Sequence, residues 1–457
     1  MGYSMEYGAD GRLMIRGLAC DCACGHNEPR QDIYVGKGIL DNLPRYIQAR
    51  SLGTHCVLVA DNNTWEIAGA RAARALRAAG YVVEECVICR QGAMEPDETA
   101  VGEVLLALQP DTEFLVSVGS GSITDVVRVN AKRANLPMVC VGTAPSMDGY
   151  TSVVCPLLFR GVKIHRSGNC PDIIVCDIDI LKTAPLRMVA SGVGDVLGKY
   201  IAHTDWLLGN IVNGEAYCPV CGQIVLDAVN RLMDNVEEIR AKTDQGIRVL
   251  IEALLLAGMT ILISGHTRAV ASVEHNISHY WDMAQLRAHK KPPQHGDSVG
   301  VATLLVWPVF VRFAREGLPA LDWESIRARR MERAEREAWM RYAYGEQAGN
   351  AIMRENEGDF LSWDEQKRRA GRVQERFAEI RACIDQLPPY ERVYGALQAL
   401  GAPLTPEDCG IDRETLNLSM WCAKDYRTRY TLFKALDECG LLAEYLREYP
   451  LDWRMGR

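Results

Sequence analysis

From residue 33 to about residue 181 the chain alternates short β-branched runs with longer helical patterns, and this alternation narrows the choice of fold more than any other feature. Ile33-Tyr34-Val35 leads through Gly36 and Gly38 to an amphipathic segment ending near Ala49. Cys56 to Ala60 leads through Asp61-Asn62-Asn63-Thr64 to an Ala/Arg-rich helix. A run from Tyr81 to Cys89, a helix from Asp97 to Leu108 and a run from Glu113 to Val118 continue the series. Strand and helix in turn imply a parallel sheet covered on both faces, with ligands taken at the carboxyl ends of the strands. Past Asp177 to Leu181 the β-rich pattern stops, and from Pro185 nearly everything reads as helix. With 457 residues the chain exceeds the roughly 250–300 at which one core stops growing. The expected architecture is an α/β domain over residues 1–184 and an all-α domain over 185–457.

Two strand ends carry chemistry suited to a nucleotide. Val118 runs into Gly119-Ser120-Gly121-Ser122, a turn that lets backbone amides approach a pyrophosphate at a helix N-terminus, or simply connects strand to helix. Asp61 sits where a carboxylate accepts from a ribose 2′-hydroxyl, and equally where it caps the next helix. A third end, Gly142-Thr143-Ala144-Pro145-Ser146-Met147-Asp148-Gly149-Tyr150-Thr151-Ser152, holds more directed hydrogen-bonding groups than a plain connection needs.

The helical half holds candidate metal ligands. His275 and His279 are one helical turn apart, and His295 follows on a His-Gly turn, so three of the nine histidines can face one point. Asp195, between glycines and one turn before Lys199, is either half of an ion pair or the anionic member of a triad with His275 and His295. Three protein ligands leave a position open, as a catalytic ion requires.

Cys20-Asp21-Cys22-Ala23-Cys24-Gly25-His26 and Cys218-Pro219-Val220-Cys221 raise the question of zinc. Alternate cysteines fit the usual two-residue gap poorly, so a strand with a tight Cys-Gly turn is the favoured reading of the first, and a structural helix start that of the second. Sixteen cysteines without an export signal read as reduced thiols. A formal charge of −8 gives no footprint for nucleic acid. Residues 1–7 lack a basic or apolar leader, and no run approaches about 18 uninterrupted apolar residues, which points to a cytoplasmic protein with no membrane span.

Taken together and in order, these motifs resemble those of the sn-glycerol-1-phosphate dehydrogenases, in particular their bacterial branch, within the larger group of iron-containing alcohol dehydrogenases, glycerol dehydrogenases and dehydroquinate synthases. The carriers are the glycine turn with Asp125, Thr143 to Ser152, Gly192-Val193-Gly194-Asp195-Val196-Leu197-Gly198-Lys199, Asp205-Trp206, Glu274-His275-Asn276-Ile277-Ser278-His279-Tyr280-Trp281 and His295-Gly296-Asp297-Ser298-Val299-Gly300-Val301. The resemblance covers most of residues 20 to 310 and implies a dehydroquinate synthase-like fold. It implies metal ligands at Asp195, His275 and His295. Nucleotide contacts fall on Gly119, Ser120, Gly121, Ser122, Asp125, Thr143, Ser146 and Ser152, and substrate contacts on Asp148, Asp195, His279 and Arg268, with His279 and Asp148 catalytic. The implied reaction is reduction of dihydroxyacetone phosphate to sn-glycerol 1-phosphate with NAD or NADP as the carrier and one divalent metal, zinc before nickel or iron. A glycerol or polyol dehydrogenase, or a related cyclase, is the alternative on this fold, and a non-catalytic scaffold the alternative outside it. A homodimer is expected.

Two departures stand out: Thr267 to Ser272 keeps Arg268 without the family's proline and glycine, and Arg128 replaces a customary lysine. Residues 323–384 read as an insertion whose mixed-charge run, Arg327 to Glu337, should be a solvated helix face.

Overall fold

The computed structural model describes residues 2–92, 94–160 and 162–451. Strands β1 (Ser4–Tyr7), β2 (Arg12–Arg16), β3 (Asp32–Gly36), β4 (His55–Asp61), β5 (Val82–Ile88), β6 (Phe114–Gly119), β7 (Met138–Gly142) and β10 (Ile173–Asp177) form one sheet in the order β1-β2-β3-β10-β7-β6-β4-β5. The six strands from β3 to β5 in that order are parallel. β3, β6, β7 and β10 are buried at every residue, as near-continuous apolar runs between two helical layers must be. Helices α1 (Leu43–Arg50) and α2 (Ala70–Ala78) cover one face with Leu43, Tyr46, Ile47, Ala72 and Leu76. Helices α3 (Glu98–Ala107) and α4 (Gly121–Ala134) cover the other with Ala100, Val104, Ile123 and Val127.

From β4 the chain passes outward to β5, then returns to place β6 on the other side of β4. Connections that leave in opposite directions open a crevice at the strand ends, and here that crevice lies between Asp61 and Gly119.

The parallel sheet is as expected, with an antiparallel edge; one hairpin was not foreseen and one expectation is corrected. β1 and β2 pair antiparallel with each other and β2 with β3, so the parallel sheet carries a hairpin on one edge. β8 (Val154–Phe159) and β9 (Val162–Ser167) form a separate antiparallel hairpin between β7 and β10 that the sequence reading did not foresee. Residues 17–31 contain no strand: the backbone around Cys20, Cys22 and Cys24 only bends.

The second half is helical: α5 (Leu186–Asn213), α6 (Pro219–Met233), α7 (Asp244–Ser264), α8 (Val273–Arg287) and α9 (His295–Glu316) come first. Proline at the first position starts α6, and Thr243 caps α7 by accepting from the Gly246 N–H at 3.0 Å. Gly214 and Gly265, at φ 66° and 75°, end α5 and α7 in the left-handed conformation that glycine adopts without strain. α7 and α9 are long and apolar enough to cross a membrane by composition, yet most of each is buried against neighbouring helices. Each buried Leu or Ile there contributes about 1.5–3 kcal/mol to packing.

Residues 323–384 form α10 (Trp323–Arg329), α11 (Arg333–Tyr344), α12 (Glu346–Glu355), α13 (Trp363–Glu375) and α14 (Phe377–Ile384). The charged run is not a continuous solvated face. It breaks between Arg329 and Arg333, and two of its arginines turn inward: Arg330 donates to Gln366 Oε1 at 3.0 Å and Arg336 to Asp425 Oδ1 at 3.0 Å. Desolvated acceptors draw the guanidinium groups in, and the helix gives way there.

Candidate metal centre and cofactor cleft

Three helices supply the candidate ligands: α5 carries Asp195, α8 carries His275, and His295 is the first residue of α9. Their convergence depends on backbones that nearly touch. A Cβ on Gly194 would lie 2.2 Å from the carbonyl oxygen of Gly296, and one on Gly296 would lie 1.7 Å from that of Ser191. Any side chain at either position would push α9 off α5 and carry His295 away from Asp195. As built, the ligand atoms of Asp195, His275 and His295 all lie within 4.8 Å of one another.

The protonation pattern suits a cation. His275 Nδ1 lies 2.7 Å from Glu274 Oε1, which also accepts from the Ser272 N–H at 2.8 Å. A carboxylate partner makes Nδ1 the donor, so Nε2 presents a lone pair towards Asp195 Oδ1, 3.5 Å away. Burial lowers the pKa of His295 and keeps its ring neutral. Burial opposes the ionised form of Asp195, but Lys199, with His275 and His295, outweighs it and holds the carboxyl well below its ordinary value. Burial and Lys199 oppose a proton on His275, but Asp195 and Glu274 outweigh them and raise its pKa, so a cation would take that proton's place; one carboxylate and two imidazoles then form a three-ligand set that fits a divalent ion and leaves a position open.

Lys199 has a larger role than its spacing shows. Fully buried, its ammonium lies 2.6 Å from Asp195 Oδ1 and 2.7 Å from Asp148 Oδ2, and the Asp148 N–H donates to Asp195 Oδ2 at 3.0 Å. One ammonium between two carboxylates leaves a net negative charge that a divalent ion reverses. Lys199 thus ties the loop after β7 to the candidate ligand Asp195.

His279, one turn past His275, stacks on His295 with ring centroids 5.7 Å apart. Its Nδ1 is buried without a hydrogen-bonding partner among the described residues, and burial holds the ring's pKa well below the ordinary value. Asp282 Oδ2, 3.9 Å from that nitrogen, is bound at 2.6 Å by Lys163 from β9. The hairpin also brings His165 to His279 at 6.0 Å between centroids. Burial, followed by Lys163 and Arg427, drives the pKa of His165 down to about 4. Sequence reading missed Lys163 and His165. The signal was there, because both lie on one side of a short alternating stretch, Lys163-Ile164-His165, near Gly168.

At the strand ends, Ser120 precedes α4 and its hydroxyl lies 2.8 Å from that of Ser146, while the Thr143 N–H donates to the Gly119 carbonyl at 3.1 Å. Gly121 and the half-buried Ser122 form the first turn of α4, and a Cβ on Gly121 would meet the Met147 side chain at 3.5 Å. Asp61 caps the next helix, accepting from the N–H groups of Asn63 and Thr64 at 2.9 and 2.8 Å, both on Oδ1. Asp125 binds Arg128 at 2.6 Å, and Arg128 donates to the Gly149 carbonyl at 2.7 Å, so the pair props the loop from beneath. Burial raises the pKa of Asp125 to about 7 despite that arginine. Ser152 closes a local turn, accepting from the Val154 N–H at 2.9 Å.

Arg268 is held by protein groups: Glu215 at 2.8 Å and the carbonyls of Asp205 and Tyr430 at 2.9 and 2.8 Å. Arg429 binds the Ala271 carbonyl and the Thr267 hydroxyl. Two arginine clamps therefore fix the loop that lacks the family's proline and glycine.

Residues 34–185 match the family of iron-containing alcohol dehydrogenases. The chain is 36% identical over 312 residues to a protein of Halalkalibacterium halodurans named glycerol-1-phosphate dehydrogenase, NAD(P)+, covering 67% of this chain and 78% of that one. It is 30% identical to the protein of the same name from Geobacillus thermodenitrificans, over 90% of this chain and 93% of that one. Among solved structures, glycerol dehydrogenase from Schizosaccharomyces pombe shares the fold at a TM-score of 0.59 and 16% identity, with 94% and 92% of the two chains covered. The order of strands, the ligand triad and these similarities agree: the chain belongs to the glycerol-1-phosphate dehydrogenase family, within the iron-containing alcohol dehydrogenase group.

Proposed function

We propose that this protein reversibly reduces dihydroxyacetone phosphate to sn-glycerol 1-phosphate with NADH or NADPH. The convergence of Asp195, His275 and His295 carries the reading, because the reaction needs a polarised ketone oxygen. When bound, a divalent cation on those three residues supplies that polarisation and the dinucleotide supplies the hydride.

The chain's own groups do the rest. Amides at the start of α4 face the pyrophosphate, Thr143 and Ser146 line its approach, and Asp61 offers its second oxygen to the ribose. Lys199 holds Asp148 and Asp195 in register, so that Asp148 orients a substrate hydroxyl. Reduction adds one proton to the carbonyl oxygen. His279 is placed to relay it: the neutral ring gives up its one N–H to the oxygen as its other nitrogen takes a proton from solvent. Lys163 and Arg427, the two cations that act on neighbouring His165, take the phosphate.

The test is NADH oxidation with dihydroxyacetone phosphate against unphosphorylated dihydroxyacetone. A site built for the anion loses about a hundredfold or more in kcat/KM when the phosphate is removed, because its cations are left unpaired. Equal rates on the two ketones, or a faster rate with glycerol, would sink the assignment. A homodimer is part of the proposal, and sedimentation measures it.

A further inference from the structure

A second set of metal-ligating side chains lies outside the cofactor cleft. The segment from Gly17 to Gln31 has no regular secondary structure, yet it carries Cys20, Cys22 and His26 to Cys218, the residue that caps the start of α6. One ligand atom from each of the four lies within 4.8 Å of all the others. His26 Nε2 is 3.1 Å from Cys22 Sγ and 3.1 Å from Cys218 Sγ. Its other nitrogen, Nδ1, donates to the Leu18 carbonyl at 3.0 Å, which makes Nε2 the lone-pair nitrogen and aims it between the sulfurs. The Cys221 N–H donates to Cys218 Sγ at 3.3 Å, as amides do around metal-bound thiolates. The neighbouring cysteines are directed elsewhere: Cys24 Sγ is 3.8 Å from His266 and Cys221 Sγ is 4.0 Å from the Thr260 carbonyl.

We propose that Cys20, Cys22, His26 and Cys218 bind one zinc ion that staples the 17–31 segment to the N-terminus of α6. Three sulfurs and an imidazole make a soft, tetrahedral set that selects zinc over the oxygen-preferring cations. Four protein ligands leave no open position, so the ion is structural. A disulfide would use two of the three sulfurs and leave the third and the oriented imidazole without a purpose. The need for a staple is visible in the segment itself. Its backbone pairing to the helical half runs through Asn27, whose N–H and side-chain amide reach the carbonyls of Ile263 and Leu262 at 3.0 and 3.3 Å.

The experiment uses the full chain with His275→Ala, which disables the other centre, loaded with zinc and then dialysed against a mild chelator. One retained zinc per chain is expected, with X-ray absorption showing three sulfurs at about 2.3 Å and one nitrogen at about 2.0–2.1 Å. Cys22→Ser combined with Cys218→Ser should abolish retention. Absence of zinc from the His275→Ala chain, a shell of nitrogen and oxygen only, or a disulfide among Cys20, Cys22 and Cys218 would each overturn the proposal. The absorption measurement keeps all four ligands intact, so it decides the matter even where the cysteine variants fail to fold. Activity is not a readout here, so the zinc staple and the dehydrogenase reading stand or fall separately.

Discussion

The Asp195 centre and the Cys218 cluster are both assembled from ligands far apart in the chain, but they solve opposite problems. In the first, helices packed closely through glycines hold Asp195, His275 and His295 together without an ion, and the ion proposed there would keep a fourth position open for chemistry. In the second, three of the four ligands sit on a segment with no secondary structure, and the donor set is complete. Where packing positions the ligands, the ion is free to act as a catalyst. Where little else positions them, the ion itself becomes part of the fold.

Substitutions can break that contrast. The largest effect is expected from Asp195→Ala or His275→Ala: kcat/KM for ketone reduction should fall by about a thousandfold, corresponding to several kcal/mol of lost polarisation. Because the glycine contacts and the buried Lys199–Asp195 pair remain in His275→Ala, its thermal unfolding should shift little, whereas Asp195→Ala also loses that pair. A large loss of stability in His275→Ala would show that the first centre also depends on its ion to fold. The converse is expected of Cys218→Ala. Its unfolding free energy should drop by about 3 kcal/mol in denaturant titration while kcat stays within about twofold, because the removed group lies outside the cleft.

A smaller effect sharpens the picture of the open site. Lys163→Ala should cost about a hundredfold in kcat/KM with dihydroxyacetone phosphate and almost nothing with dihydroxyacetone, read from parallel steady-state assays. The effect smallest at any single pH step concerns Asp205, on α5, which accepts from the Ser272 hydroxyl at 2.6 Å and the Leu432 N–H at 2.8 Å. Burial raises its pKa to about 7, so between about pH 4 and that value the folded chain holds a proton that the unfolded chain has released. Stability should therefore fall as pH rises across this window, by about 1 kcal/mol per unit, and level off above it. In Asp205→Asn that slope should flatten; an unchanged pH profile would assign the slope to another group.

Much of the open centre was legible in the linear chain. The turn at Gly119 to Ser122 ends a strand and starts a helix, as its composition requires, and Asp195, His275 and His295 stand out by residue type, helical spacing and flanking glycines. Other features were hidden for identifiable reasons. Lys199 looks like half of a local i,i+4 pair, and its second carboxylate, Asp148, comes from the sheet half. Arg268 resembles an anion-binding group, and in the fold Glu215 and two carbonyls take its Nε and Nη2 while Nη1 stays buried without a partner among the described residues. Cys20, Cys22 and His26 lack the familiar gap because their fourth partner lies 192 positions beyond His26.

The sequence alone determined what repeats or acts locally: the alternation that makes a parallel sheet, the glycine turn at a strand end, and ligand spacing within a single helix. These follow from backbone periodicity and residue chemistry over a few turns, which a linear pattern records faithfully. Tertiary structure alone decided the pairing of Lys199 with Asp148, the delivery of Lys163 and His165 by a hairpin, and the meeting of Cys218 with the 17–31 segment. Each depends on which buried charge or sulfur finds which partner once helices close on one another, and desolvation, not proximity in sequence, selects those partners.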